Sequence, residues 1–284
     1  MILITGATGT VGRELVKLMA RPGAEIRVMV RDRAKAGPVS YPGVEFVQGD
    51  FALPETLDDA MSGAHKAFLL TPPDNRQPEW EGNFIEAARR SNLRHIVKLS
   101  ALGASMNAPA RLLQWHAESE RKLEATGIPY THLRPSQFMQ NFLAYRPSIV
   151  RDGAFYAPMG NGRISLVDAR DVAAVAAEVL TEFGHERKAY EITGPQALSY
   201  QDIAAILTGV LGRPVKYVDV PPDTARRGML DNGMPDWFAD ALLELYAIWR
   251  ANGASEISDA VHHVGKRTPT TFEQFARDFA PQLA

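Results

Sequence analysis

Not one of the 284 residues is a cysteine. Disulfides, thiolate nucleophiles and zinc–thiolate sites are therefore excluded. A chain built this way suits a reducing compartment. An excess of charge of one sign is also missing: 31 Lys and Arg stand against 33 Asp and Glu, a formal net charge of -2. With no basic surplus, neither nucleic acid nor an anionic membrane is the expected partner. Long hydrophobic runs are absent too. The N-terminal apolar stretch is only Met1 to Ile4, too short for a signal peptide or a membrane span. A cytoplasmic location is the expectation. There is no internal repeat, no low-complexity segment, no H-E-x-x-H, no carboxylate cluster and no P-loop. His262 and His263 are adjacent, so they point apart on any regular element, and no metal is expected.

What is present is alternation. Short apolar runs (MILIT, EIRVMVR, VEFVQGD, HKAFLLTPP, RHIVKLSA, PYTHLRP) are separated by amphipathic stretches such as GRELVKLMA, with Leu15, Leu18 and Met19 on one face. This β-α order predicts an α/β, doubly wound parallel-sheet Rossmann fold over residues 1–135, because right-handed crossovers place helices on both faces. Past residue 135 the pattern loosens. SQFMQNFLAY reads as helical, and residues 153–180 read as strand, turn and strand feeding a helix capped near Asp168. AYEITG is another strand, and Ser199 caps a further helix. Residues 136–284 are expected to form mainly a smaller C-terminal α/β substrate lobe, with 163–193 packing back on the first domain.

The first strand runs straight into Gly6, Gly9 and Gly12, and a helix follows. Ligands of parallel α/β sheets bind beyond the carboxyl ends of the strands, where a helix N-terminus offers free N–H groups and positive dipole to a pyrophosphate. Gly6 permits the tight turn, Gly9 lets the phosphates approach the backbone, and Gly12 lets helix and sheet close up. The spacing is G-x-x-G-x-x-G, which has meaning only because it lies between a strand and a helix. At the end of the second strand stands Arg31, with Arg33 and Lys35 near it, where an acidic residue would mark NAD. A guanidinium suits a 2′-phosphate, which favours NADP, although the adjacent Asp32 leaves a solvated basic loop as the other reading. Asp50 falls near the adenine or caps a turn. Thr71 and Pro72 follow the fourth strand, beside the expected ribose and nicotinamide.

Together TGATGTVG, VRDRAK, GDF, SALGA, HAESERKLEATGIPYTHLRPSQFMQN and DARDVA resemble the NmrA-like group of atypical short-chain dehydrogenases, over nearly the whole chain. LTEFGHERKAYEIT and GMPDWF look most like its quinone oxidoreductase and triphenylmethane dye reductase branch. The resemblance implies NADPH under a Rossmann fold. Thr5, Gly6, Thr8, Gly9, Thr10, Val11 and Gly12 would hold the pyrophosphate, and Arg31 the 2′-phosphate. Asp50 and Phe51 would hold the adenine, and Thr71, Pro72 and Ser100 would line the nicotinamide side.

One departure bears on chemistry. No tyrosine occurs between Ser91 and Gly127; His116 stands at the usual catalytic tyrosine position and Glu120 at that of the lysine. An imidazole can serve as acid near pH 7, or His116 is an ordinary helix residue. Gln137, Asn141, Phe142 and Tyr145 are substrate candidates, with Tyr156, Trp80, Trp237 and Trp249 as further aromatics; core packing or backbone capping is the competing role for each. The expected function is NADPH-dependent hydride transfer to a quinone, dye or similar conjugated acceptor, a small aromatic molecule. The alternative is an NADP(H)-binding redox sensor without turnover. A homodimer is compatible with either.

Overall fold

The computed structural model describes residues 1–33 and 41–283; Lys35 lies outside them. Seven strands form one sheet: β1 (Ile2–Ile4), β2 (Ile26–Val30), β3 (Val44–Gln48), β4 (Lys66–Leu69), β5 (His95–Leu99), β6 (Tyr130–Pro135) and β9 (Lys188–Ile192). Their order is β3-β2-β1-β4-β5-β6-β9, and every pairing is parallel. The direction of winding reverses between β1 and β4, the switch point at which a crevice opens. The doubly wound Rossmann fold expected from the alternation is the one observed.

Helices α1 (Thr10–Met19) and α6 (Ala169–Thr181) cover one face, joined by α10 (Ala260–His263). Helices α2 (Glu55–Met61), α3 (Gln77–Arg90) and α4 (Arg111–Ala125) cover the other. The inner strands β1, β2, β4 and β5 are mostly apolar because both of their faces are covered, whereas the edge strands β3 and β9 are more exposed. On α1 the inward face is Val11, Gly12, Leu15, Val16 and Met19. Leu18, expected on that face, is instead exposed, since the stripe turns one residue away from it.

The lobe gathers its own core around Phe142, Phe155, Tyr200, Phe272 and Phe275. Its elements are a 3-10 turn (Met139–Tyr145), α5 (Arg146–Asp152), β7 (Ala154–Ala157), β8 (Arg163–Ile164), β10 (Leu198–Ser199), α7 (Tyr200–Leu211), β11 (Lys216–Asp219), α8 (Pro222–Asp231), α9 (Asp236–Arg250), α11 (Phe272–Asp278) and α12 (Ala280–Leu283). Asp168 and Ser199 cap α6 and α7 as their residue types predict, the latter in a reciprocal capping box with Asp202. The strand, turn and strand expected from residue 153 onward are present as β7 and β8, which do not pair with each other. β7 pairs with β11 and β8 with β10, so each strand finds a distant partner. No helix among the described residues is long and apolar enough to cross a membrane.

Candidate active site

The turn after β1 is held by its own backbone. Gly6 adopts φ +65 and its carbonyl accepts from the Gly9 N–H at 2.9 Å. Gly9 then caps α1 in extended conformation, with no side chain satisfying the first N–H groups and no acid in the first turn. That is an anion-binding helix end. A Cβ on Gly12 would lie 2.2 Å from the Gly6 carbonyl oxygen, so this glycine lets loop and helix touch. The Thr5 hydroxyl is fully buried. It lies 3.0 Å from the Phe68 and Leu70 carbonyls and accepts from the Leu70 N–H at 2.8 Å, tying the loop to the end of β4.

A cleft of about 490 Å³ begins at this loop. Thr8, Gly9, Thr10 and Val11 line it, together with Arg31, Asp50 and Phe51. Thr71, Pro72 and Asn141 line it as well. The glycine cradle and the exposed Arg31 fit a phosphorylated dinucleotide. Asp50 turns its carboxylate back to the Ala52 N–H at 2.9 Å, and Phe51 stands against Phe84 with ring centroids 6.0 Å apart. The sequence did not single out Ala7, Met29, Gly49, Leu99 or Phe138, which also line the cleft. They are small or apolar residues whose only signal is their place beside the strand ends.

The other candidates lie elsewhere. Ser100 is buried and is not among the residues that line the cleft. Phe142 is wholly buried in the lobe core, and Tyr145 shares a 2.8 Å hydrogen bond with Tyr246. Gln137 lies near the Tyr200 hydroxyl at 3.4 Å. Glu120 is held bidentately by Arg134 at 2.9 and 2.5 Å. Burial would raise its pKa, but that guanidinium leaves it below the usual carboxylate range.

Behind Thr71 lies a charged cluster that the sequence did not disclose. Lys98 on β5 and Glu81 on α3 are both buried and form an ion pair at 2.9 Å. Burial acts against the charge on Glu81, but Lys98 and then His116 hold its pKa below the ordinary value. The carboxylate therefore accepts from the Thr71 hydroxyl at 2.9 Å and from Gln77 at 3.2 Å. His116 closes the cluster, its Nδ1 3.2 Å from Lys98 Nζ and 3.3 Å from Gln77 Nε2. The only hint in the sequence was a lysine inside an otherwise apolar strand run.

Burial, reinforced by Lys98, pushes His116 down to about 4; burial, reinforced by Lys66, does the same to His95. Both folded values lie below the ordinary 6.5. Their contribution to stability is therefore complete above pH 6.5 and is lost as pH falls towards 4, by as much as about 1.4 kcal/mol per pH unit for each ring. Urea unfolding should show a clearly lower midpoint at pH 5 than at pH 7; equal midpoints would contradict this.

The NmrA-like family matches residues 1–276. The NAD(P)H azoreductase of Xenophilus azovorans is 39% identical over 280 residues, covering 99% of this chain and 98% of that protein. Among solved structures, an NADPH-dependent quinone oxidoreductase of Escherichia coli complexed with NADPH superposes with TM-score 0.90 at 30% identity, covering 99% of this chain and 100% of that one. The triphenylmethane reductase of Citrobacter sp. complexed with NADP(H) gives 0.88 at 28% identity, covering 98% and 99%. The chain belongs to the NmrA-like family.

Proposed function

We propose that this protein is an NADPH-dependent oxidoreductase that passes hydride to a quinone, a dye or a similar conjugated electrophile in the cytoplasm. The observation that carries the reading is one cleft lined both by the uncapped helix end and by Asn141 of the lobe. The α1 N-terminus and the Gly6–Gly9 turn would hold the pyrophosphate, and Arg31 the 2′-phosphate. Thr71, Pro72 and Leu99 would face the reactive ring. When bound, NADPH supplies the hydride. The protein binds both reactants, orients them and keeps water from the reacting carbon.

The acceptor class follows from the proton inventory. His116 is neutral at pH 7 and Glu120 is ionised against Arg134. Neither is a strong acid ready to protonate an alkoxide. A simple ketone needs such an acid, whose help is worth about 10²–10⁴ in rate. A quinone spreads the incoming charge over its ring, and a cationic dye is neutralised by hydride. The relatives are a reductase for azo compounds, one for quinones and one for triphenylmethane dyes by name, which favours turnover over a sensor.

NADPH oxidation should be measured with quinones, azo and triphenylmethane dyes and aliphatic ketones side by side. Faster reduction of the ketones would defeat this account, and NADPH binding without reduction of any acceptor would restore the sensor. Arg31→Asp should weaken NADPH by about tenfold or more and leave NADH nearly unchanged, since one charge-assisted contact is worth about 1.5–3 kcal/mol. Calorimetric titration of both cofactors checks it, and an equal loss for the two would remove Arg31 from the 2′-phosphate.

A further inference from the structure

The Lys98 ammonium has three protons, no lone pair and no exposure to solvent. Three acceptors surround it: Glu81 Oε2 at 2.9 Å, the Leu99 carbonyl at 3.2 Å and His116 Nδ1 at 3.2 Å. Nδ1 also faces the Gln77 amide nitrogen, itself oriented by its hydrogen bond to Glu81. Both neighbours of Nδ1 are donors, so Nδ1 must accept. In the neutral ring the proton then belongs to Nε2, for which no described residue supplies an acceptor; the ring is only half-buried and is joined through Gln77 and Glu81 to Thr71, which lines the cleft.

We propose that Lys98 is a positioning residue that locks His116 as the neutral Nε2–H tautomer, so that His116 meets the acceptor as a hydrogen-bond donor and not as an acid. The inference rests on the reductase reading of the cleft. Hydride arriving at a quinone leaves an electron pair on oxygen. The Nε2–H stabilises that anion and keeps its own proton, and water supplies the proton that completes the hydroquinone. A donor that cannot be lost needs no reprotonation between turnovers. A neutral histidine used as an electrophile in this way is an established device of enzyme sites. The charged groups that face the ring are Lys98 from β5, Glu81 from α3 and Glu120 from its own helix. The two carboxylates favour a charged ring; Lys98 and burial oppose it.

The test is a nitrogen NMR measurement on protein labelled with ¹⁵N-histidine, with the His116 signals assigned by their loss in His116→Phe. The expected result is an unprotonated Nδ1 and a protonated Nε2 that persist from pH 8 to pH 5. A ring that carries its proton on Nδ1, or that becomes doubly protonated near pH 6.5, overturns the proposal. Removing both charges at once, Lys98→Met with Glu81→Gln, keeps the volumes and avoids an unpaired buried ion. In that variant His116 should show mixed tautomers; an unchanged spectrum would mean that Lys98 is structural only. Quinone turnover should fall about tenfold or more in His116→Phe and recover to within about threefold in His116→Gln, whose amide still donates. Equal turnover by the Phe variant and the parent protein removes the donor role. Absence of reduction with every acceptor in the parent protein would overturn the reductase reading and the role of Nε2 with it, while the tautomer measurement stands apart.

Discussion

A Gly9→Val variant should fold and bind NADPH about a hundredfold or more weakly, whereas Gly12→Val should be strongly destabilised. The two glycines stand three residues apart in one loop, and the difference lies in what a side chain would meet. At Gly9 the backbone is extended, φ -82 and ψ -179, a conformation that valine favours. The nearest atom to an added Cβ is the Gly6 carbonyl oxygen at 3.2 Å, which a small shift accommodates. The branched side chain then occupies the cleft at the α1 N-terminus. Two charge-assisted hydrogen bonds to a pyrophosphate, at about 1.5 kcal/mol each, amount to roughly a hundredfold. At Gly12 the Cβ would sit 2.2 Å from that oxygen, 2.7 Å from the Gly6 carbonyl carbon and 2.8 Å from the Ala7 Cα. All three are backbone atoms. The helix has to lift off the loop, at about 3 kcal/mol or more. Thermal melts paired with NADPH fluorescence titrations separate the two outcomes. Binding by Gly9→Val within threefold of the parent, or an unchanged melt for Gly12→Val, would show that the loop is built for something else.

Replacing Lys98 alone is the second large effect. Lys98→Met leaves the Glu81 carboxylate buried with no cation beside it, and breaking a buried pair from one side costs about 3–5 kcal/mol. Against a typical total of about 5–15 kcal/mol that is a substantial share. The loss should depend on pH in a definite direction. In the parent protein the folded pKa of Glu81 lies below its ordinary value, so its stabilisation is present above that value and disappears as pH falls through the folded pKa. Without Lys98 the desolvation that already opposes the charge prevails, and the folded pKa rises above the unfolded one. The carboxyl then favours the fold at low pH and ceases to as pH rises. The gap between variant and parent should therefore be smaller at pH 5 than at pH 7. Urea denaturation at both pH values tests this, and a gap that is constant or widens in acid would mean that Glu81 does not titrate as described.

The local signals in the chain were legible wherever one segment carried them alone. Apolar runs of four to six residues announced strands buried on both faces, and three glycines between a strand and a helix announced an anion-binding turn. Asp168 and Ser199 announced helix starts. What depended on distant partners was not legible. β7 and β8 are neighbours in sequence, yet their partners lie 34 to 62 residues further on. Thr5 carries the resemblance to a pyrophosphate loop, but its hydroxyl is engaged by the β4 backbone. The cluster around Lys98 joins residues from three helix and strand elements, and no spacing rule connects positions 77, 81, 98 and 116. Phe142 and Tyr145 have the composition of an aromatic pocket, but lobe packing decided where their rings point.

The route of the chain between the two layers sets how the molecule is made and how it can move. Residues 139–164 leave the sheet, α6 and β9 return to it, residues 198–254 leave again, and α10 comes back to lie on α6. With so many crossings there is no single linker about which the lobe could swing. The segments with least to lose by moving are instead those such as α8, where no residue is buried. The same route means that a ribosome must pass residue 264 before the sheet's helical cover is finished. A fragment ending at 135 would leave the β6 edge without β9 and the apolar stripe of α1 without α6. The sheet and the lobe are therefore expected to be completed as one cooperative unit, late in synthesis.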